Sequence, residues 1–117
     1  MPILQNYESI TLRLWTRQAV TILSLSASEV NDRLGSVPNW TLVGSTIVRE
    51  LRFQNFIEAI GFVNQIVEPA EQANHHPDLA ISYNKVVITL TTHDAGGLTV
   101  KDFDLAAAID RLGSGVG

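Results

Sequence analysis

The run from Asn55 to Val67 constrains the fold most, because its apolar residues recur at helical spacing. Asn55 is suited to the N-cap position, and Glu58, three residues later, is its expected capping-box partner. Pro69 is expected to kink or end the regular helix, with a further turn over residues 70–74 before Pro77 stops it. The apolar positions of this predicted helix are Phe56, Ile57, Ile60, Val63, Ile66 and Val67.

Pairs of short β-branched runs lie on both sides of this helix. NWTLVGS and TIVRELRF are separated by the turn formers Gly44 and Ser45, which predicts a hairpin. After the helix, LAISY and KVVITLTTH predict two more strands. The alternation in the last run turns one set of side chains towards the core and His93 away from it. The core-facing set is Val86, Ile88 and Leu90, and the other set is Val87, Thr89, Thr91 and His93.

Two capping boxes predict further helices at the ends of this pattern. Ser26 and Glu29 would start a short helix that runs to about Gly35, and Thr99 and Asp102 would start the last helix. The element order is therefore helix-β-β-helix-β-β-helix. This order predicts an α+β, two-layer fold in which helices cover one face of a four-stranded, largely antiparallel sheet. Residues 1–24 show no clean period, so their structure stays open, and residues 113–117 are expected to form a flexible tail.

Length and composition predict one domain and exclude several functions. The 117 residues suffice for a single two-layer core. A net charge of -4 argues against direct binding of nucleic acid, which requires clustered Lys and Arg. The absence of cysteine excludes disulfides and thiolate chemistry, and no apolar run approaches the length of a membrane helix. The prediction is a cytoplasmic protein with no membrane association.

All three histidines, His75, His76 and His93, fall in one short stretch of the chain. Imidazole, with an ordinary pKa of about 6.5, can both donate and accept protons near neutral pH, so this cluster is the candidate for acid/base chemistry. Two alternatives stand beside it. A His-His-Pro sequence at a helix end is often only a polar turn, and the three histidines with Glu71 could form a zinc site, although adjacent histidines rarely converge on one ion.

The chain resembles the pterin-4a-carbinolamine dehydratase family in the spacing of seven positions and in the words HHPD, YNKV, ITLTTH and GGLT. The seven positions are Glu71, His75, His76, Pro77, Tyr83, His93 and Asp102. The resemblance extends upstream through Trp40 and the LRFQNFIEAIGFVNQI segment, and it identifies residues 25–112 as a domain similar to that family. Residues 1–24 have no counterpart and are treated as an N-terminal extension.

The resemblance implies an enzyme that removes water from 4a-hydroxytetrahydropterin to give quinonoid dihydropterin, with no metal or organic cofactor. It implies that His75 and His93 are the acid/base pair, each proton transfer contributing about 10²–10⁴-fold, and that His76 binds and orients the pterin. The further positions that it places beside the ligand are Asn74, where animal members have Asp, together with Thr91, Thr92 and Trp40.

Several assignments remain open at this point. Asp102 is suited to helix capping and would also steady the site, Glu71 is either a solvated helix residue or an orienting partner for an imidazole, and Trp40 is either core or pocket wall. The resemblance also implies homodimers that extend the sheet, commonly paired into tetramers. Because some family members act as protein partners, a non-catalytic role as a scaffold, coactivator or assembly protein is the alternative function.

Overall fold

The computed structural model describes residues 23–113, and most of the predicted extension (residues 1–24) and most of the predicted tail (residues 113–117) lie outside this range. Its elements are α1 (Ala27–Leu34), β1 (Thr41–Val43), β2 (Thr46–Arg52), α2 (Phe56–Ala73), β3 (Asp78–Ser82), β4 (Lys85–Leu90), a short 3-10 turn (His93–Ala95) and α3 (Val100–Leu112). The predicted order of helices and strands is confirmed. No helix within residues 23–113 is both long enough and apolar enough to span a membrane.

The four strands form one antiparallel sheet in the order β1-β2-β4-β3. The alternation predicted for β4 is confirmed, since Val86, Ile88 and Leu90 are fully buried while Val87 and Thr89 are only half-buried. The buried face packs against the helical layer, where Ala106 and Ile109 of α3 are also fully buried. This is the predicted two-layer α+β fold.

Local signals in the sequence set the starts of the three helices within residues 23–113. Ser26 with Glu29 and Thr99 with Asp102 form the two predicted capping boxes. Asn55 caps α2 by accepting a hydrogen bond from the Glu58 amide. The Glu58 carboxylate, however, accepts from the amide of Gln54 at 3.1 Å, one residue before the predicted partner.

Helix α2 continues through Pro69 to Ala73, which includes the further turn expected over residues 70–74, so the loss of one amide donor at the proline is tolerated within the helix. One expected boundary differs from the structure. His93 does not lie on β4, which ends at Leu90. In the register of the sheet, Leu90 lies opposite Ile47 of β2. Because β2 begins only one residue earlier, at Thr46, β4 has almost no partner strand beyond Leu90.

Candidate active site

The end of α2 places His75 through a specific backbone motif. Asn74 has a left-handed conformation (φ 50°, ψ 44°), which Asn tolerates better than most residues. The amide of His75 donates to the carbonyl of Ala70 at 3.1 Å, and the amide of Asn74 donates to that of Glu71 at 3.2 Å. These are the two hydrogen bonds of a Schellman motif. Asn74 therefore ends α2 through its left-handed backbone conformation. Its contact with a ligand stays a prediction.

The central contact of the site joins His75 to Asp102. The Nε2 atom of His75 lies 2.5 Å from Oδ1 of Asp102, and the two side chains are 10% and 0% exposed. His75 follows α2, whereas Asp102 lies in the first turn of α3, so the packing of these two helices creates the pair. A carboxylate so deeply buried requires several hydrogen-bond donors to offset its lost hydration.

Asp102 receives those donors from three directions. Its Oδ1 is paired with the His75 ring, while its Oδ2 accepts from the Thr92 hydroxyl at 2.7 Å and from the Thr99 amide at 3.0 Å. The bond from Thr99 is part of the capping box of α3. Asp102 thus caps α3 and also hydrogen-bonds to the His75 ring, and its role in steadying a catalytic site stays a prediction.

The contact also fixes the protonation pattern of the ring. An ionised carboxylate can only accept hydrogen bonds, so the Nε2 atom of His75 carries the proton in this pair. In the neutral ring, the other nitrogen, Nδ1, then holds the free lone pair. A carboxylate that holds one imidazole nitrogen in this way leaves the other nitrogen in the form that accepts a proton.

His76 lies in a different environment from its neighbour. Its Nε2 atom is 2.5 Å from Oε2 of Glu71, and the two side chains are 56% and 68% exposed. The predicted orienting role of Glu71 is thus geometrically available. Exposed pairs of this kind contribute little to stability, so this contact mainly restricts the orientation of the ring.

His93 is carried by a small loop that closes on itself. Thr92 and Gly97 pair in both directions, with the Thr92 amide donating to Gly97 at 3.1 Å and the Gly97 amide donating to Thr92 at 3.3 Å. Within this loop the Gly96 amide donates to the His93 carbonyl, and Gly96 has a positive φ of 74°. His93 is exposed and directly follows Thr92, whose side chain reaches Asp102.

Two side chains that were predicted to bind the ligand form hydrogen bonds within the protein. The Thr91 hydroxyl donates to the carbonyl of Ser45 at 2.8 Å and so ties the end of β4 to the first hairpin. Trp40 is 4% exposed, and its indole nitrogen donates to Asp110 of α3 at 2.8 Å. Trp40 therefore belongs to the core, and contacts of Thr91 and Trp40 with a pterin stay predictions.

Arg49, which is buried, and Asp110, which is partly buried, form an ion pair that was not among the predicted site residues. Arg49 is 10% exposed at its side chain and pairs with Asp110, which also accepts from Trp40. The sequence does carry a signal for it, because Arg49 lies between Ile47 and Leu51 in the strand alternation and so points into the core. Asp110 lies on α3 about two turns after Asp102, whereas Arg49 lies on β2.

The described residues contain no group of three His, Asp or Glu side chains placed to hold a metal ion. A cavity of about 390 Å³ lies between the start of α1, the first hairpin and the Gly96–Gly97 turn. None of the three histidines lines it. This cavity is therefore separate from the His75–Asp102 site.

The sequence model of the family described as pterin 4 alpha carbinolamine dehydratase matches residues 23–112. The chain belongs to this family. A Cyanothece protein that carries the provisional name pterin-4-alpha-carbinolamine dehydratase is 62% identical over 88 residues, which cover 75% of this chain and 91% of the relative. A Picosynechococcus protein with the same provisional name is 59% identical over 88 residues, covering 75% and 96% of the two chains.

Solved structures of pterin dehydratases and related proteins share the fold. A transcriptional coactivator/pterin dehydratase from Brucella melitensis superimposes with a TM-score of 0.73 and 34% identity, covering 76% of this chain and 97% of that chain. A pterin dehydratase-like protein described as a RuBisCO assembly factor in the alpha-carboxysome has a TM-score of 0.51 at 19% identity, covering 62% and 84%. The second likeness concerns the fold alone.

Proposed function

We propose that this protein is a dehydratase that removes water from 4a-hydroxytetrahydrobiopterin to give quinonoid dihydropterin, in the recycling of tetrahydrobiopterin. The observation that carries the proposal is the His75–Asp102 pair, a histidine held by a fully buried carboxylate in a chain of the pterin-4-alpha-carbinolamine dehydratase family. A cytoplasmic location remains a prediction.

The reaction requires two proton transfers. The hydroxyl on C4a leaves as water once its oxygen has received a proton, and loss of the proton on N5 allows the C4a=N5 double bond to form. With Nε2 of His75 held by Asp102, Nδ1 is the atom that would exchange a proton with the pterin. The Asp102 carboxylate would oppose the positive charge that appears on the ring when Nδ1 accepts a proton.

His93 is proposed as the second member of the acid/base pair. Its loop begins at Thr92, which contacts Asp102, so the two histidine-bearing segments meet at one carboxylate. The exposed His76, with its ring held by Glu71, is proposed to bind and orient the pterin, together with Asn74 beside it. These steps are proton transfers and binding contacts, and they use no metal or organic cofactor.

The test follows the ultraviolet absorbance of 4a-hydroxytetrahydrobiopterin as it decays with the wild-type protein, with His75→Ala and with His93→Ala. The wild type should accelerate decay over buffer, and each variant should lose about 100-fold or more of that acceleration. Asp94→Asn, a change of an exposed residue next to His93, serves as a control for disturbance of the loop. No acceleration by the wild type over buffer would refute the enzymatic proposal.

The second candidate is a non-catalytic role as a partner protein. Exposed apolar side chains on α2, with Phe56 at 51%, Ile57 at 80% and Val67 at 57%, provide a surface for such contacts. The names of two structural neighbours, a coactivator/dehydratase and an assembly factor, are in line with this reading. If the wild-type protein has no dehydratase activity, the partner role that uses this surface is favoured.

A homodimer or homotetramer is also proposed. Strand β3 is an edge strand whose five residues are all exposed, including the apolar Leu79 (38%) and Ile81 (39%). Edge strands with open backbone groups and apolar side chains favour pairing with another strand. A second copy that adds its sheet at β3 would cover these residues.

A further inference from the structure

We propose that Thr92 is a positioning residue that acts through Asp102 on His75, and that it does not bind the substrate with its hydroxyl. This inference rests on the proposed dehydratase function only for its kinetic test. The resemblance to the family places Thr92 beside the ligand, whereas the hydrogen bonds of its side chain point to a different role.

The Thr92 hydroxyl uses its one proton and one of its two acceptor lone pairs within the protein. Its one proton is donated to Oδ2 of Asp102 at 2.7 Å. Its oxygen lies 2.8 Å from the hydroxyl oxygen of Thr99, which must be the donor because the proton of Thr92 is already used. Thr99 in turn is fully buried and accepts from the amide of Lys101 at 3.2 Å. The Thr92 hydroxyl could donate a hydrogen bond to a pterin only if its hydrogen bond to Asp102 were broken.

The backbone of Thr92 anchors the second histidine. Its amide and carbonyl form the bridge to Gly97 that closes the loop carrying His93. Thr92 is therefore the one residue in the described chain that contacts Asp102 through its side chain and closes the His93 loop through its main chain. A shift of Thr92 would change the orientation of His75 and the position of His93 together.

The kinetic test compares Thr92→Val with Thr92→Ser. Valine keeps the shape but removes the hydroxyl, so kcat should fall about 10- to 100-fold through misplacement of His75, while KM stays within about twofold. Serine keeps the hydroxyl and should restore most of kcat. Thr46→Val is the matched control, because the Thr46 hydroxyl also donates a single bond, to the carbonyl of Val43 at 2.8 Å in the first hairpin. This control should leave kcat unchanged.

A second measurement does not depend on activity. Nitrogen-15 NMR of the histidine rings should show a proton on Nε2 of His75 that exchanges slowly with water, and Thr92→Val should speed that exchange about 10-fold or more while Thr92→Ser does not. If the wild type proves not to be a dehydratase, this measurement still decides the role of Thr92. If Thr92→Val does not fold, Thr92→Ala takes its place in both measurements.

A double-mutant cycle checks that Thr92 acts through Asp102. In an Asp102→Asn background, Thr92→Val should cause little further loss of kcat, because the two residues belong to one hydrogen-bond network. Three results would overturn the inference: an increase in KM with unchanged kcat in Thr92→Val, an unchanged His75 ring signal in that variant, or fully additive losses in the double variant.

Discussion

The Nε2 atom of His75 lies 2.5 Å from Oδ1 of Asp102, although 27 residues separate the two in sequence. His75 follows the C-cap of α2, and Asp102 lies in the first turn of α3. The same carboxylate accepts from Thr92 and Thr99, so a single buried group connects a helix start, a histidine and the loop of His93.

Asp102→Asn should lower kcat for decay of 4a-hydroxytetrahydrobiopterin by about 100-fold or more. An Asn that keeps its oxygen towards Thr92 and Thr99 would present its NH₂ group to His75, which would then have to accept at Nε2 and carry its proton on Nδ1. Ultraviolet kinetics measure kcat, and ring NMR measures the tautomer. Asp104→Asn, at an exposed position of α3, is the matched control. An Asp102→Asn protein with wild-type kcat would contradict the role given to Asp102.

Glu71→Gln and His76→Ala should raise KM more than they lower kcat, because the proposed role of His76 is to orient the pterin. Both side chains are more than half exposed, so the midpoint of thermal unfolding should hardly change. Steady-state kinetics and a melting curve check both statements. A loss of kcat as large as that of His75→Ala would instead place His76 in the proton transfers.

Asp110→Ala should lower the free energy of unfolding by about 3 kcal/mol, because it leaves the Arg49 charge buried without its partner. It also removes the acceptor of the Trp40 indole N–H. Glu50→Ala, which breaks the exposed pair with Arg52, should cost less than about 1 kcal/mol. Urea unfolding of the two variants measures the difference, and equal losses would show that burial of the Arg49 pair is energetically unimportant.

The carboxyl group of Glu29 should titrate below its ordinary range. The backbone N–H of Ser26 is the main cause of the lowered pKa, with the Ser26 hydroxyl second. Because this pKa is depressed on folding, the stabilisation from Glu29 is present above the unfolded-state pKa and is lost as the pH falls through the folded-state value. An NMR titration of Glu29 measures the pKa, and Ser26→Ala should bring it partly back towards the ordinary value. A Glu29 pKa equal to that of a free peptide would contradict the capping box.

Ile81→Lys should reduce the mass of the particle measured by light scattering, because a charge on the β3 edge opposes the pairing proposed there. Thr41→Lys adds the same charge to the opposite edge strand, β1, and should leave the mass unchanged. A wild-type mass equal to one chain would refute the oligomer. If only Thr41→Lys reduces the mass, the interface lies at β1 and not at β3.

Much of the fold could be predicted from local patterns. Ser26, Asn55 and Thr99 start their helices at the predicted residues because an N-cap satisfies amides only a few positions away. The alternation of Val86, Ile88 and Leu90 identified the buried face of β4 for a similar reason. The sequence left open whether Pro69 ends the regular helix, because tolerance of a proline depends on the packing of that helix.

In the candidate site, too, local features could be predicted from the sequence, whereas contacts between elements could not. The sequence by itself determined the family, the residue types and the start of α3 at Thr99, since these depend on spacing along the chain. Only the tertiary structure decided that Asp102 holds His75, that Thr92 donates to the same carboxylate, and that Asp110 accepts from both Trp40 and Arg49. Each of these contacts joins different elements, and its formation depends on how the helical layer and the sheet pack together.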